Sequence, residues 1–115
     1  MPSADIAAPS PPPPAALFAA LGDPTRLALV QRLSREGDQS ISRLGDGLPM
    51  SRQAVRKHLS VLEGAGLVSA SARGREQMFA LRRERVADAR DCLDAIAGQW
   101  DVMLLRLRDK LETES

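Results

Sequence analysis

Five polar side chains, Arg52, Gln53, Arg56, Lys57 and Ser60, recur at spacings of three and four within SRQAVRKHLSVLEGAG. That spacing puts them on one side of a helix. Their chemistry is charge and hydrogen bonding, not bond breaking. A guanidinium is a planar fork that fits a phosphate or the O6/N7 edge of guanine, and a Gln amide fits the adenine edge. Arg73 and Arg75 flank Gly74 a short way downstream and supply two more cations. Between Ser51 and Arg85, eight Lys/Arg stand against three acids, while the whole chain of 115 residues is only +1. The positive charge is therefore concentrated, as a polyanion-binding segment requires. The plainer alternative is a basic hairpin on a protein that binds no nucleic acid.

Other reactive residues are few. A soft or borderline metal needs thiolate or imidazole donors converging on one point, and the chain offers one cysteine, Cys92, and one histidine, His58, far apart. No metal site is expected. As a general base His58 would need an orienting carboxylate and a reacting partner, and no sequence neighbour supplies them. It reads as a structural residue that packs against the domain or reaches a phosphate. A single Cys92 forbids an intrachain disulfide and fits a reducing cytoplasm. It reads as a small half-buried residue, with a thiol switch across a dimer axis as the sharper alternative. Asp88, Asp91, Asp94 and Asp101 are most simply a solvent face, with a hard-cation site as the alternative. No nucleophile–base pair, phosphate loop or pair of catalytic acids is present, so neither an enzyme nor a cofactor is expected.

The elements that must hold the basic face can be read in order. Residues 1–14 contain six of the eight prolines, a composition for a disordered or polyproline tail. Ala15 to Leu21 is predicted as a short helix with Leu17, Phe18 and Leu21 on one face. Asp23-Pro24 starts the next, since Asp caps free N–H groups and Pro suits the first helical position. Its apolar stripe is read as Leu27, Val30 and Leu33, with Leu29 beside them, and Gly37 ends it. Ser40 to Gly45 leaves room for a short helix before the turn Gly47-Leu48-Pro49-Met50. Ser51 then caps the basic helix, whose Val55, Leu59 and Leu62 form the buried side, and Gly64-Ala65-Gly66 stops it. Alternation at Val68, Ala70 and Ala72 and at Phe79 and Leu81 predicts a two-stranded hairpin turning at Gly74.

The last helix, about Glu84 to Glu112, repeats apolar residues at spacings of three and four: Val86, Ala89, Leu93, Ile96, Trp100, Leu104, Leu107 and Leu111. Such a stripe exceeds what a small domain needs, so part of it is expected to face a second copy. Leu17, Phe18, Leu93, Ile96, Trp100, Leu104 and Leu107 are the expected dimerisation residues. A long helix packed only within its own subunit is the alternative. Trp100 could instead line an effector pocket, though a seam aromatic more often fills an interface. The fold class is thus mainly α with a small β-hairpin, a winged helix-turn-helix dimerising through its first and last helices. Residues 15–112 form its one domain and 113–115 a flexible end. No apolar run is long enough to span a membrane and the N-terminus is no secretory signal, so the expected location is the cytoplasm.

FAALGDPTRLALVQRL, then SRQAVRKHLSVLEGAGLV, then RGREQMFAL, then a WD-containing C-terminal helix resemble the ArsR/SmtB-type winged helix-turn-helix repressors over residues 15–112. The resemblance implies a homodimer that binds double-stranded DNA at an imperfect inverted repeat, usually near its own gene. It places DNA contacts at Ser51, Arg52, Gln53, Arg56 and Lys57, beside Ser60 on the same face, and wing contacts at Arg73 and Arg75. The metal-sensing members carry a Cys-x-Cys pair before the recognition helix or Asp and His ligands on the last helix. Here Ser40 to Leu44 has no thiol and the last helix no histidine, which implies a non-metal-sensing branch. Two alternatives stand beside this reading: a winged helix used for protein docking, and a thiol- or ligand-responsive repressor. The sequence names neither a small-molecule effector nor an operator.

Overall fold

The computed structural model describes residues 12–114. Within them, five helices and three strands follow in the order α1 (Pro14–Leu21), α2 (Pro24–Glu36), β1 (Gln39–Ser40), α3 (Ile41–Gly45), α4 (Arg52–Gly64), β2 (Val68–Arg73), β3 (Glu76–Leu81) and α5 (Arg83–Glu114). Three of the helices start on side-chain caps. Asp23 Oδ2 accepts from the N–H groups of Thr25 and Arg26 at 2.9 and 3.0 Å, with Pro24 in the first turn. Ser40 Oγ accepts from Arg43 N at 3.2 Å, and Ser51 Oγ from Ala54 N at 3.1 Å. Each cap satisfies an N–H that the first helical turn cannot pair internally.

The expected hairpin is there, but the sheet has a third strand. β1 pairs antiparallel with β3 through Gln39 opposite Phe79 and Ser40 opposite Met78, giving the order β1-β3-β2. Two residues show no alternation, so the sequence pattern carries no sign of this strand. Its effect is to tie the wing to the segment that opens α3, because Ser40 is both a strand residue and the cap of that helix.

Leu17, Leu44, Val55, Leu59, Leu62 and Leu67 are completely buried, and Leu29, Leu33, Ile41, Val68 and Phe79 nearly so. Two expectations change. The α2 stripe is carried by Leu29 and Leu33, with Leu27 turned outward at 41 % exposure. Leu17, expected at the dimer seam, lies wholly inside its own subunit and has no surface left for another. Phe18, the other α1 residue expected there, is only partly buried.

Of the Pro-rich tail, residues 1–11 lie outside the described residues. Pro14 opens α1, and the Pro12 carbonyl accepts from Arg85 Nη2. At the other end α5 runs through Glu114, and the Thr113 hydroxyl donates to the carbonyls of Asp109 and Lys110.

Candidate nucleic-acid interface

α4 is two-sided. Val55, Leu59 and Leu62 have no exposed surface, while Ser51, Arg52, Gln53, Arg56, Lys57 and Ser60 are all exposed on the outward side. Burial of the first set fixes which way the second points. Ser51 spends one lone pair on capping α4, which leaves its O–H free to donate outward. Two of the cations are held by neighbours from other elements. Arg52 Nη2 donates to Ser42 Oγ on α3, and Arg56 Nη1 donates to Gln77 Oε1 on β3 at 3.1 Å. Neither Ser42 nor Gln77 stands out in the sequence, because no local pattern connects them to arginines 10 and 21 residues away.

Arg73 and Arg75 are exposed at the hairpin tip, on either side of Gly74, whose φ of 63° is a conformation other residues rarely adopt. The remaining cations of the segment behave differently. Arg82 is paired with Glu84 at 2.7 Å. That carboxyl is held below its ordinary range, first by its own backbone N–H and then by Arg82. Arg85 is buried, bonded to Asp88 Oδ2 at 2.7 Å and to the Pro12 carbonyl, and lies where a Cβ on Gly66 would come within 3.2 Å of its Nε. It is a structural cation, so the charge available to a partner is smaller than a count along the chain gives. Apart from the exposed Arg83 that opens α5, what remains is gathered on α4 and at the wing tip.

His58 has partners that no sequence neighbour could supply. Arg26 on α2 donates through Nη1 to its Nδ1 at 3.4 Å, and Asp23 Oδ2 stands 3.9 Å from the same atom. Nδ1 of His58 therefore faces both a cation and a carboxylate. Arg26 also donates from Nε to the Ala20 carbonyl at 2.7 Å, so one side chain links the end of α1, the start of α2 and the middle of α4. The DPTR motif is thereby explained: Asp23 caps, Pro24 starts the helix, and Arg26 sets how α4 is carried. The Asp23 carboxyl is held below its usual value, first by the Arg26 N–H and further by the Arg26 and His58 side chains, against the cost of partial burial. Asp23 is occupied with capping, and the arrangement holds no reacting group.

Residues 21–69 match a family described as a helix-turn-helix domain. The transcriptional repressor SmtB of Mycobacterium tuberculosis is 36 % identical over 95 residues, covering 77 % of this chain and 68 % of the relative. The chain belongs to the ArsR/SmtB family. A probable mercury resistance operon repressor of Streptomyces lividans is 34 % identical over 113 residues, covering 86 % of this chain and 90 % of that protein. An ArsR-like regulator from a Rhodococcus species shares the fold with a TM-score of 0.73 at 38 % identity, over 84 % of this chain and 90 % of that one. The chain is therefore a DNA-binding transcriptional regulator of the repressor kind, in a family of regulators and not of enzymes. The position before the recognition helix where metal-sensing members carry thiols is occupied by α3, and among the described residues no three His, Cys, Asp or Glu side chains converge as a metal site would require. Also among them, no helix is long and apolar enough to cross a membrane.

Proposed function

We propose that this regulator works in the cytoplasm as a homodimer, inserting two copies of α4 into successive major grooves of an inverted-repeat operator, about 34 Å apart. The observation that carries the reading is the exposed, cationic side of α4 backed by a fully buried one. Arg52, Gln53, Arg56, Lys57, Ser51 and Ser60 meet the groove and its flanking phosphates, and Arg73 and Arg75 reach the backbone beside it. The seam at Leu93, Ile96, Trp100, Leu104 and Leu107, 45–57 % exposed in the single subunit, supports association through α5, with Phe18 alongside. A protein-docking role would call for apolar anchors on the outward side of α4, where, among the described residues, Val61 is the only large exposed apolar one.

The test is titration of a DNA fragment from upstream of the protein's own gene against a scrambled fragment of equal composition, at physiological salt. The expected result is saturable binding to the first with clear preference over the second. For six to ten phosphate contacts, affinity should fall by about 10³–10⁵ between 50 and 200 mM salt. Equal affinity for the two fragments would sink the operator reading.

A further inference from the structure

Arg52 and Arg56 lie one turn apart on the same helix, yet their guanidiniums are held through different nitrogens. We propose that Gln77 is a positioning residue for Arg56, holding its guanidinium so that Arg56 reads a guanine by a two-point contact. This rests on the operator reading above.

A guanidinium offers two edges for two-point recognition, Nε with Nη2 and Nη1 with Nη2. Gln77 Oε1 holds Arg56 by Nη1, which leaves whole the Nε/Nη2 edge, the pair of donors that fits the O6/N7 acceptors of guanine. Ser42 Oγ holds Arg52 by Nη2, which carries a second N–H, so that bond still leaves Arg52 a complete edge and assigns it no particular contact. An arginine already fixed in one rotamer loses less freedom when it binds, and its preference among bases sharpens.

The fold explains why Gln77 can do this. Along a strand, alternate residues share a face, so Gln77 lies on the same side of β3 as the buried Phe79, the side turned toward the helices. β3 is the middle strand, anchored by β1 at Met78 and Phe79 and by β2 along its whole length. Gln77 is thus a polar residue at the outer end of an otherwise apolar face, next to the best-anchored part of the wing.

The experiment replaces the guanines of the footprinted upstream fragment one at a time by 7-deazaguanine, which removes the N7 acceptor, and titrates each with wild type, Arg56→Ala, Arg52→Ala, Gln77→Ala and Gln77→Glu. In the wild type, one guanine per half-site is expected to lose about tenfold in affinity. Arg56→Ala abolishes that loss and Arg52→Ala retains it. Gln77→Ala shrinks it while binding to scrambled DNA and thermal midpoint stay unchanged, and Gln77→Glu, which keeps an acceptor for Arg56, restores it. A wild-type 7-deaza profile retained in Gln77→Ala, or a sensitive guanine lost in Arg52→Ala and kept in Arg56→Ala, would overturn the positioning role while leaving the operator reading standing. Failure of the wild type to prefer its upstream fragment would remove both.

Discussion

The winged-helix body and the distal part of α5 treat apolar side chains in opposite ways. In the body, Leu44, Val55, Leu59, Leu62 and Leu67 have no exposed surface. Beyond Ala89 no described residue of α5 is buried, and Leu93, Ile96, Trp100, Leu104, Leu107 and Leu111 are each about half exposed, at 45–59 %. A contiguous apolar surface of that kind marks an interaction site. The contrast teaches that the two parts are completed differently. The body is closed by its own side chains, whereas the distal helix leaves its apolar stripe half exposed, as the proposed association would use it. Stability should therefore answer to substitutions in the body at any protein concentration, and assembly to substitutions on the helix.

The strongest way to break this contrast is to charge the seam. Trp100→Asp combined with Leu104→Asp should yield a monomer by sedimentation and lower operator affinity by about 10² or more, since the second half-site is no longer tethered to the first. The melting of the body should persist in this variant. A dimer that survives both carboxylates would show that the seam lies elsewhere. Next in size is the body itself: Leu59→Ala should cost about 2–5 kcal/mol in chemical denaturation, by the same amount at low and high protein concentration. A concentration-dependent cost would mean that the body is not self-contained.

Smaller effects sharpen the comparison inside the body. Arg26→Ala removes the link between α1, α2 and α4 and should cost about 1–3 kcal/mol, with weaker specific DNA binding because α4 loses a support. Acid probes the same place. The folded Asp23 carboxyl is depressed below its ordinary value of 3.8, so its contribution is complete above that value and is lost as pH falls through the folded one. Asp23→Asn, which still caps but does not titrate, should lose less stability than wild type between about pH 5 and pH 3. Smallest of all, Leu27→Ala should change stability by less than about 0.5 kcal/mol, as its outward position requires.

The sequence is most legible where local pattern and global packing agree. Ser51, the Val55-Leu59-Leu62 side and the Gly64–Gly66 stop specify α4 from local chemistry alone. In α2 the same signal is ambiguous, because Leu27, Leu29, Val30 and Leu33 offer two phases of apolar stripe and periodicity cannot choose between them. The observed choice is consistent with Arg26, whose contacts with Ala20 and His58 hold the start of the helix in one rotation. Long-range partners are out of reach for a related reason. Gln77 and Ser42 each touch an arginine brought to them by tertiary folding, and Asp23 reaches His58 across a separation of 35 positions. Counting charge along the chain places Arg85 on the partner-binding side because a linear sum cannot see burial.

One further effect follows from the two-residue strand β1. By joining β3 at Phe79 and Met78 while β2 joins it from the other flank, β1 makes the root of the wing a fixed fulcrum, and only the tip around Gly74, past the last β2–β3 pair Arg73–Glu76, is left without a strand partner. In the proposed complex, the tip arginines Arg73 and Arg75 then adjust to neighbouring phosphates without loosening the grip on α3 that Ser40 provides. Amide exchange should report this as a protected pivot at Phe79 beneath a rapidly exchanging tip at Gly74.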